Sequence, residues 1–227
     1  MRGAGLLLLL LMGFSSSAQV NTKTKATYRY LLSLPAHYNS QQRYPLVIYL
    51  HGGSQKGNDL EKLKVYGLPY LVAQGQQFDF IIASPQCPDN KYWSTENWFE
   101  PLYANLTTQY NIDTNRVYLT GVSMGGYGTY ITAMDFPDKF AALLPLCGGC
   151  NDSDTSRICN LQKIPIWAFH GTADDQVDIK ETIRIADKLR TCHGHMKFTP
   201  LANEGHGIQF LYEKKPEIYT WLLQQHK

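Results

Sequence analysis

Short apolar runs alternate with stretches of helical spacing along most of this chain. Residues Tyr28 to Leu34 alternate apolar and polar side chains, the period of a half-buried strand at a sheet edge. The runs Pro45 to Leu50, Asp79 to Ser84, Arg116 to Thr120, Ala141 to Cys147, Ile164 to His170 and Met196 to Leu201 are largely apolar and of strand length. Continuous runs of this kind predict strands covered on both faces. Helical spacing fills the intervals, over Leu60 to Gln74, Leu102 to Tyr110, Met124 to Phe136, Val177 to Leu189 and Ile208 to Gln225, with Pro137 stopping the third of these. Strands alternating with helices predict an α/β fold with a mostly parallel central sheet and helices on both faces. The segment from Cys147 to Ile164 is too short to hold a separate lid domain.

The first eighteen residues do not fit this pattern. Arg2, the apolar run Leu6 to Met12 and Ser15-Ser16-Ser17-Ala18 form a positive end, a hydrophobic stretch and a small-residue cleavage site. The apolar run falls short of the roughly 20 residues that span a bilayer, so it predicts a cleavable signal peptide over 1–18 and a secreted or periplasmic product. Residues 19–227 then form one catalytic domain. With 21 basic against 19 acidic side chains and no cluster of either, a nucleic acid or a membrane surface is not expected as a partner.

Export changes the reading of the five cysteines, Cys87, Cys147, Cys150, Cys159 and Cys192, because an oxidising compartment favours disulfides. An odd number leaves at least one thiol free. Cys150 and Cys159 flank the polar stretch 151–158 and are the expected bridge, with Cys87 reduced. Cys147-x-x-Cys150 lacks the second ligand pair of a structural zinc site and does not open a helix after a first strand, so neither a metal nor a thioredoxin-like role is expected.

Chemistry concentrates at Gly121-Val122-Ser123-Met124-Gly125, which lies where a strand run passes into a helical one. A serine at such a turn sits in a strained backbone conformation above the sheet edge, and small residues two positions before and after it avoid clashes. The following helix offers free N–H groups and its positive dipole end to an oxyanion. Downstream, a strand run ends in His170-Gly171-Thr172-Ala173-Asp174-Asp175, and another is followed by Asn203-Glu204-Gly205-His206. A parallel sheet gathers the C-terminal ends of its strands on one edge, so Ser123, an acid among Asp174, Asp175 and Asp178, and His206 converge there. His193 and His195 precede their strand and belong to the opposite edge; His51 and His170 read as structural. The N–H groups of Met124 and of Gly53, or alternatively Ser54, are positioned for an oxyanion hole. Trp93, with Tyr92 and Trp98, follows a strand's C-terminal end and could form a wall for an acyl group or a sugar.

These residues resemble the α/β-hydrolase superfamily, and within it small secreted carboxylesterases of the predicted-peptidase, phospholipase/carboxylesterase, dienelactone-hydrolase and feruloyl-esterase kind. The likeness rests on Leu50-His51-Gly52-Gly53, Ser84-Pro85-Gln86-Cys87-Pro88, Gly121 to Gly126, Phe136-Pro137-Asp138-Lys139-Phe140, His170 to Asp174 and Gly205-His206. The family's His-Gly-x-x-Asp spacing selects Asp174 as the acid. The resemblance implies a Ser123–His206–Asp174 triad acting on a small or polysaccharide-linked ester, with no cofactor or metal. The alternatives are a serine peptidase of prolyl-oligopeptidase type and a catalytically silent binding protein built on the same fold.

Overall fold

The computed structural model describes the backbone of residues 20–23 and, in full, residues 28–227; the expected signal peptide lies outside the described residues. Strands β1 (Val20–Lys23), β2 (Arg29–Ser33), β3 (Tyr44–Leu50), β4 (Ile81–Pro85), β5 (Ile112–Val122), β6 (Ala142–Leu146), β7 (Ile166–Gly171) and β8 (Met196–Leu201) form one sheet. Their order is β1-β2-β4-β3-β5-β6-β7-β8. The first two strands run antiparallel to their neighbours, and every pair from β4 to β8 is parallel. This is the α/β-hydrolase fold. The stretch expected at the edge, Tyr28 to Leu34, instead lies one strand inward as β2, because β1 pairs along its outer side.

Period-2 alternation divides the core into two layers. Leu46 and Ile48 of β3 face one side, where they meet Leu102 and Leu106 of α2 (Phe99–Gln109), Ile131 of α3 (Met124–Asp135) and Ile185 of α4 (Lys180–Thr191). Val47 and Tyr49 face the other, against Leu71 of α1 (Leu68–Ala73), Leu211 of α5 (Leu211–Lys214) and Ile218 of α6 (Glu217–Leu223). Every residue of β3 is buried, as a doubly covered strand requires. At the other edge β8 is only partly buried. There Lys197 places its ammonium 3.3 Å from the centre of the Trp167 ring, which covers an aromatic face and puts a charge on an exposed edge.

Two of the expected helices are broken. Leu60 to Gln74 divides into a 3₁₀ turn, Leu60–Val65, and α1, with Gly67 at φ +78° between them. A side chain at Gly67 would also strike the Tyr49 hydroxyl, so helical spacing across this point meets both a dihedral and a steric obstacle. Ile208 to Gln225 is interrupted ahead of Pro216, whose ring cannot continue α5. The polar stretch after Cys150 is a 3₁₀ run, Asp152–Leu161.

That run changes the disulfide. Cys150 is buried in the core, whereas Cys159 is carried to the end of α4, where it bridges Cys192 with a Cα–Cα separation of 5.6 Å. The expected Cys150–Cys159 pairing is therefore replaced by Cys159–Cys192; Cys87, Cys147 and Cys150 are free and buried. Closing a loop of sequence separation 33 removes about 4 kcal/mol of chain entropy from the unfolded state in the loop-closure model. Peptide mapping without reduction is expected to find this pair, and Cys159→Ser/Cys192→Ser to lower unfolding stability by an amount of that order. A urea midpoint unchanged by the double substitution would contradict the bridge.

Candidate active site

Ser123 joins β5 to α3 at φ +58° and ψ −119°, outside the comfortable range of a residue with a Cβ. The turn is accommodated because Gly121 and Gly125, two positions to either side, have no side chains. A Cβ on Gly121 would lie 2.3 Å from the Gly125 carbonyl oxygen, and one on Gly125 would lie 2.0 Å from that of Leu50. The Ser123 N–H donates to the Leu146 carbonyl at 3.0 Å, fixing the turn to the end of β6.

From this turn the hydroxyl reaches His206, whose Nε2 is 2.7 Å from Oγ. His206 lies in the loop after β8. Its Nδ1 is 2.8 Å from Oδ2 and 3.0 Å from Oδ1 of Asp174, in the loop after β7. These loops hold each other: Ala173 N–H donates to the Glu204 carbonyl and Asn203 N–H to the Thr172 hydroxyl, each at 2.9 Å. The Asp174 side chain is fully buried while His206 keeps 16 % of its side chain exposed. Burial alone would raise the Asp174 carboxyl, but N–H groups of Val177 and Gln176, at 2.9 Å each, and the His206 ring outweigh it and hold it below the usual carboxylate range. Asp175 is exposed, and Asp178 accepts from the N–H of Lys180 at the start of α4.

Met124 is the first residue of α3, so its N–H belongs to the unpaired donors of that helix start. Gly53 and Ser54 line a cleft together with Ser123 and His206, and the Ser54 hydroxyl is 3.2 Å from that of Tyr66. His51 stands behind this loop. The Cys87 N–H donates to its Nε2 at 2.9 Å, leaving the Nδ1 proton to the Gly52 carbonyl at 2.7 Å. Burial pulls the His51 ring down to about 4, so it stays neutral and ties the loop after β3 to the loop after β4. His170 is also fully buried, with Thr182 and Val177 as neighbours.

Two clefts flank Ser123. One, of about 470 Å³, is walled by Tyr92, Trp93, Met124, Tyr127, Ile131 and Val177. The other, of about 380 Å³, is the more polar of the two, with Ser54, Tyr66, Gln176, His206 and Gln209 around it. Trp93 presents only an edge: it is 3 % exposed, donates to the His51 carbonyl at 3.2 Å and packs on Trp98. Trp98 is core, donating to the Trp93 carbonyl at 2.9 Å. Tyr92 is the exposed aromatic, at 62 %. Among the described residues, one group of possible metal ligands occurs, Cys147, Asp174 and His206, with ligand atoms within 4.8 Å of one another. Burial pushes the Cys147 thiol up to about 12, and it donates to the His206 carbonyl, so the sulfur is held as a thiol.

The model of the Esterase family matches residues 21–197. The chain belongs to the Esterase family. A curated relative of this Esterase-family chain, a bifunctional acetylxylan esterase/xylanase of Neocallimastix patriciarum, is 30% identical over 143 residues, covering 60% of the chain and 20% of the relative. Feruloyl esterase D of Neurospora crassa is 26% identical over 200 residues, covering 78% of the chain and 62% of the relative. The chain thus spans less than two thirds of the length of these relatives. Among solved structures, a thermostable esterase superposes with a TM-score of 0.79 at 33% identity, over 94% of this chain and 64% of that one. A ferulic acid esterase superposes with a TM-score of 0.70 at 16% identity, over 91% and 97%, a likeness of fold.

Sequence reading missed Tyr66, Tyr127, Gln176 and Gln209. Tyr127 had a signal, being one helical turn beyond Ser123 on α3; its N–H donates to the Ser123 carbonyl at 3.1 Å. Tyr66 had none, because its place depends on the break at Gly67.

Proposed function

We propose that this protein is a serine carboxylesterase that acts on esters joining a short or aromatic acyl group to a neutral, hydroxyl-rich alcohol. The observation that carries this reading is the unbroken hydrogen-bonded line from Ser123 Oγ through His206 to Asp174, with a cleft on either side of the hydroxyl. His206 takes the serine proton as Oγ attacks the ester carbonyl, while Asp174 holds Nδ1 and stabilises the imidazolium. The oxyanion is received by the N–H groups of Met124 and Gly53. His206 then returns the proton to the departing alcohol and activates water to release the acid.

This sequence assigns the two clefts. The leaving oxygen must lie within hydrogen-bonding reach of His206 Nε2, so the alcohol occupies the polar cleft that includes His206. The acyl group takes the aromatic-walled cleft. Among the described residues, neither cleft is lined by a carboxylate, a lysine or an arginine, which favours an uncharged substrate such as an acetylated or feruloylated sugar. The signal-like first eighteen residues support an extracellular or periplasmic site of action.

A peptidase reading has support from a dipeptidyl-aminopeptidase B of Botryotinia fuckeliana, 25% identical over 193 residues and matched over 21% of its length. It predicts a counter-charge for the substrate's amino group, and among the described residues the lining of neither cleft holds a carboxylate.

An ester panel tests the assignment. With one alcohol, kcat/KM is expected to be higher for acetyl, butyryl and feruloyl esters than for palmitoyl, since an open cleft leaves most of a long chain in water. Tyr92→Ala is expected to lower the rate for feruloyl esters about tenfold through the lost aromatic contact, and to leave acetyl esters within about twofold. Trp93→Ala is a poorer probe, because emptying a buried tryptophan costs about 3–5 kcal/mol of stability. A maximum at palmitoyl, or faster cleavage of the matched amide, would sink the proposal.

A further inference from the structure

We infer that His170 is a positioning residue for the triad, a second histidine set against the Asp174 carboxylate and tied to the loop that carries it; the inference rests on the esterase reading of the same site. Both oxygens of this carboxylate are cut off from water, since its side chain is fully buried. Oδ1 accepts two backbone N–H groups, from Gln176 and Val177. Oδ2 accepts from His206 Nδ1 at 2.8 Å, and His170 Nε2 lies 3.2 Å from the same oxygen. Val177, whose N–H holds Oδ1, is itself held through its carbonyl by His170 Nε2 at 2.9 Å, so His170 steadies the loop that carries the acid while setting its positive N–H edge beside the carboxylate.

The protons of His170 follow from its neighbours. Nε2 is flanked by two groups that only accept, the Val177 carbonyl at 2.9 Å and the Asp174 carboxylate, so Nε2 carries a hydrogen. Nδ1 is 2.8 Å from the Thr182 hydroxyl, which is also 2.9 Å from the Gly148 carbonyl. The one hydroxyl proton serves either Nδ1, with His170 neutral, or Gly148, with His170 cationic. In both cases Nε2 donates to the Val177 carbonyl, and its positive N–H edge stays 3.2 Å from Asp174 Oδ2. His170 thus links the end of β7, the acid loop and α4 through Thr182, and it lies against the same carboxylate oxygen that His206 engages. Groups that orient a catalytic histidine's partner in this way alter rates through geometry, without touching the substrate.

The two amide replacements separate an N–H at the place of Nε2 from mere filling of the space. The His170→Asn amide can meet Thr182 but ends short of Val177 and Asp174, whereas His170→Gln extends an N–H to about the place of Nε2. With an acetyl ester, His170→Asn is expected to lower kcat roughly 10- to 100-fold with KM within about twofold, and His170→Gln to recover most of the loss. In an Asp174→Asn background, His170→Asn is expected to add no more than about a twofold change, because it acts through the acid. Thr182→Val, which removes the anchor at Nδ1 and keeps the packing of α4, is expected to give a smaller kcat loss with the same dependence on Asp174, and it serves should His170→Asn not fold. Independently of turnover, the far-downfield proton resonance of a histidine N–H bonded to a carboxylate is expected in the wild type and to shift in His170→Asn and Thr182→Val, which separates this inference from the esterase reading. Wild-type kcat in His170→Asn, fully additive losses with Asp174→Asn, or an unmoved resonance in folded variants would each overturn it.

Discussion

Ser123→Ala is expected to remove ester turnover, by about 10⁴- to 10⁶-fold in kcat, with His206→Ala losing a similar factor because the members of such a unit fail together. The fold is expected to survive. Ser123 makes no side-chain bond to the helix it precedes, and its hydroxyl is engaged with His206 alone among the described side-chain hydrogen bonds, so removing it costs about 1 kcal/mol. Ser123→Gly is expected to be the more stable of the two, since it relieves a left-handed backbone at φ +58°. The measurement is turnover and fluorophosphonate labelling beside a thermal melt. A serine variant that still hydrolyses esters at the parental rate would end the proposed mechanism.

The second large effect belongs to a residue without a side chain. Gly125→Ala places a Cβ 2.0 Å from the Leu50 carbonyl oxygen and 2.5 Å from its carbon, both backbone atoms of β3 that cannot swing aside. Helix α3 and the end of β3 must separate by about 1 Å or more, and overpacking of this kind costs about 1–3 kcal/mol. The same shift carries Ser123 away from His206, and a displacement of about 1 Å at a reacting group costs on the order of 10²-fold in rate. Gly53→Ala is the matched control: nothing lies within 4 Å of the added methyl, and the backbone N–H remains. It is expected to keep activity within about threefold. Equal losses in the two variants would show that packing at the turn is not what positions the serine.

Much of this was legible because the strands report on themselves. A strand buried on both faces must be apolar throughout, so the runs ending at Leu50, Ser84, Cys147 and His170 mark β3, β4, β6 and β7 closely. The positions of Ser123, Asp174 and His206 follow from the strand ends, and the residues that the sequence singles out are the ones that lie in hydrogen-bonded contact. What escaped depends on contacts between distant segments. The break at Gly67 answers to Tyr49, the Cys159–Cys192 bridge to a 3₁₀ run that helical periodicity does not mark, and the polar cleft to Tyr66 and Gln209 arriving from separate parts of the chain. His170 read as a structural histidine because sequence shows a residue type and not the oxygen it faces.

Among the described residues, the two clefts share only Ser123 in their lining. Under the proposed reading, the acid half of an ester falls mainly to the loop at Tyr92 and the first turns of α3, and the alcohol half mainly to the loops after β3 and β8, while the loop after β7 sends Val177 to one cleft and Gln176 to the other. Substitutions at Tyr92 or at Tyr66 would then shift the ranking of one half and leave the other's in place. A scaffold divided in this way can acquire a new acid while keeping its old alcohol, with the serine and the loop after β7 as the places where both choices meet.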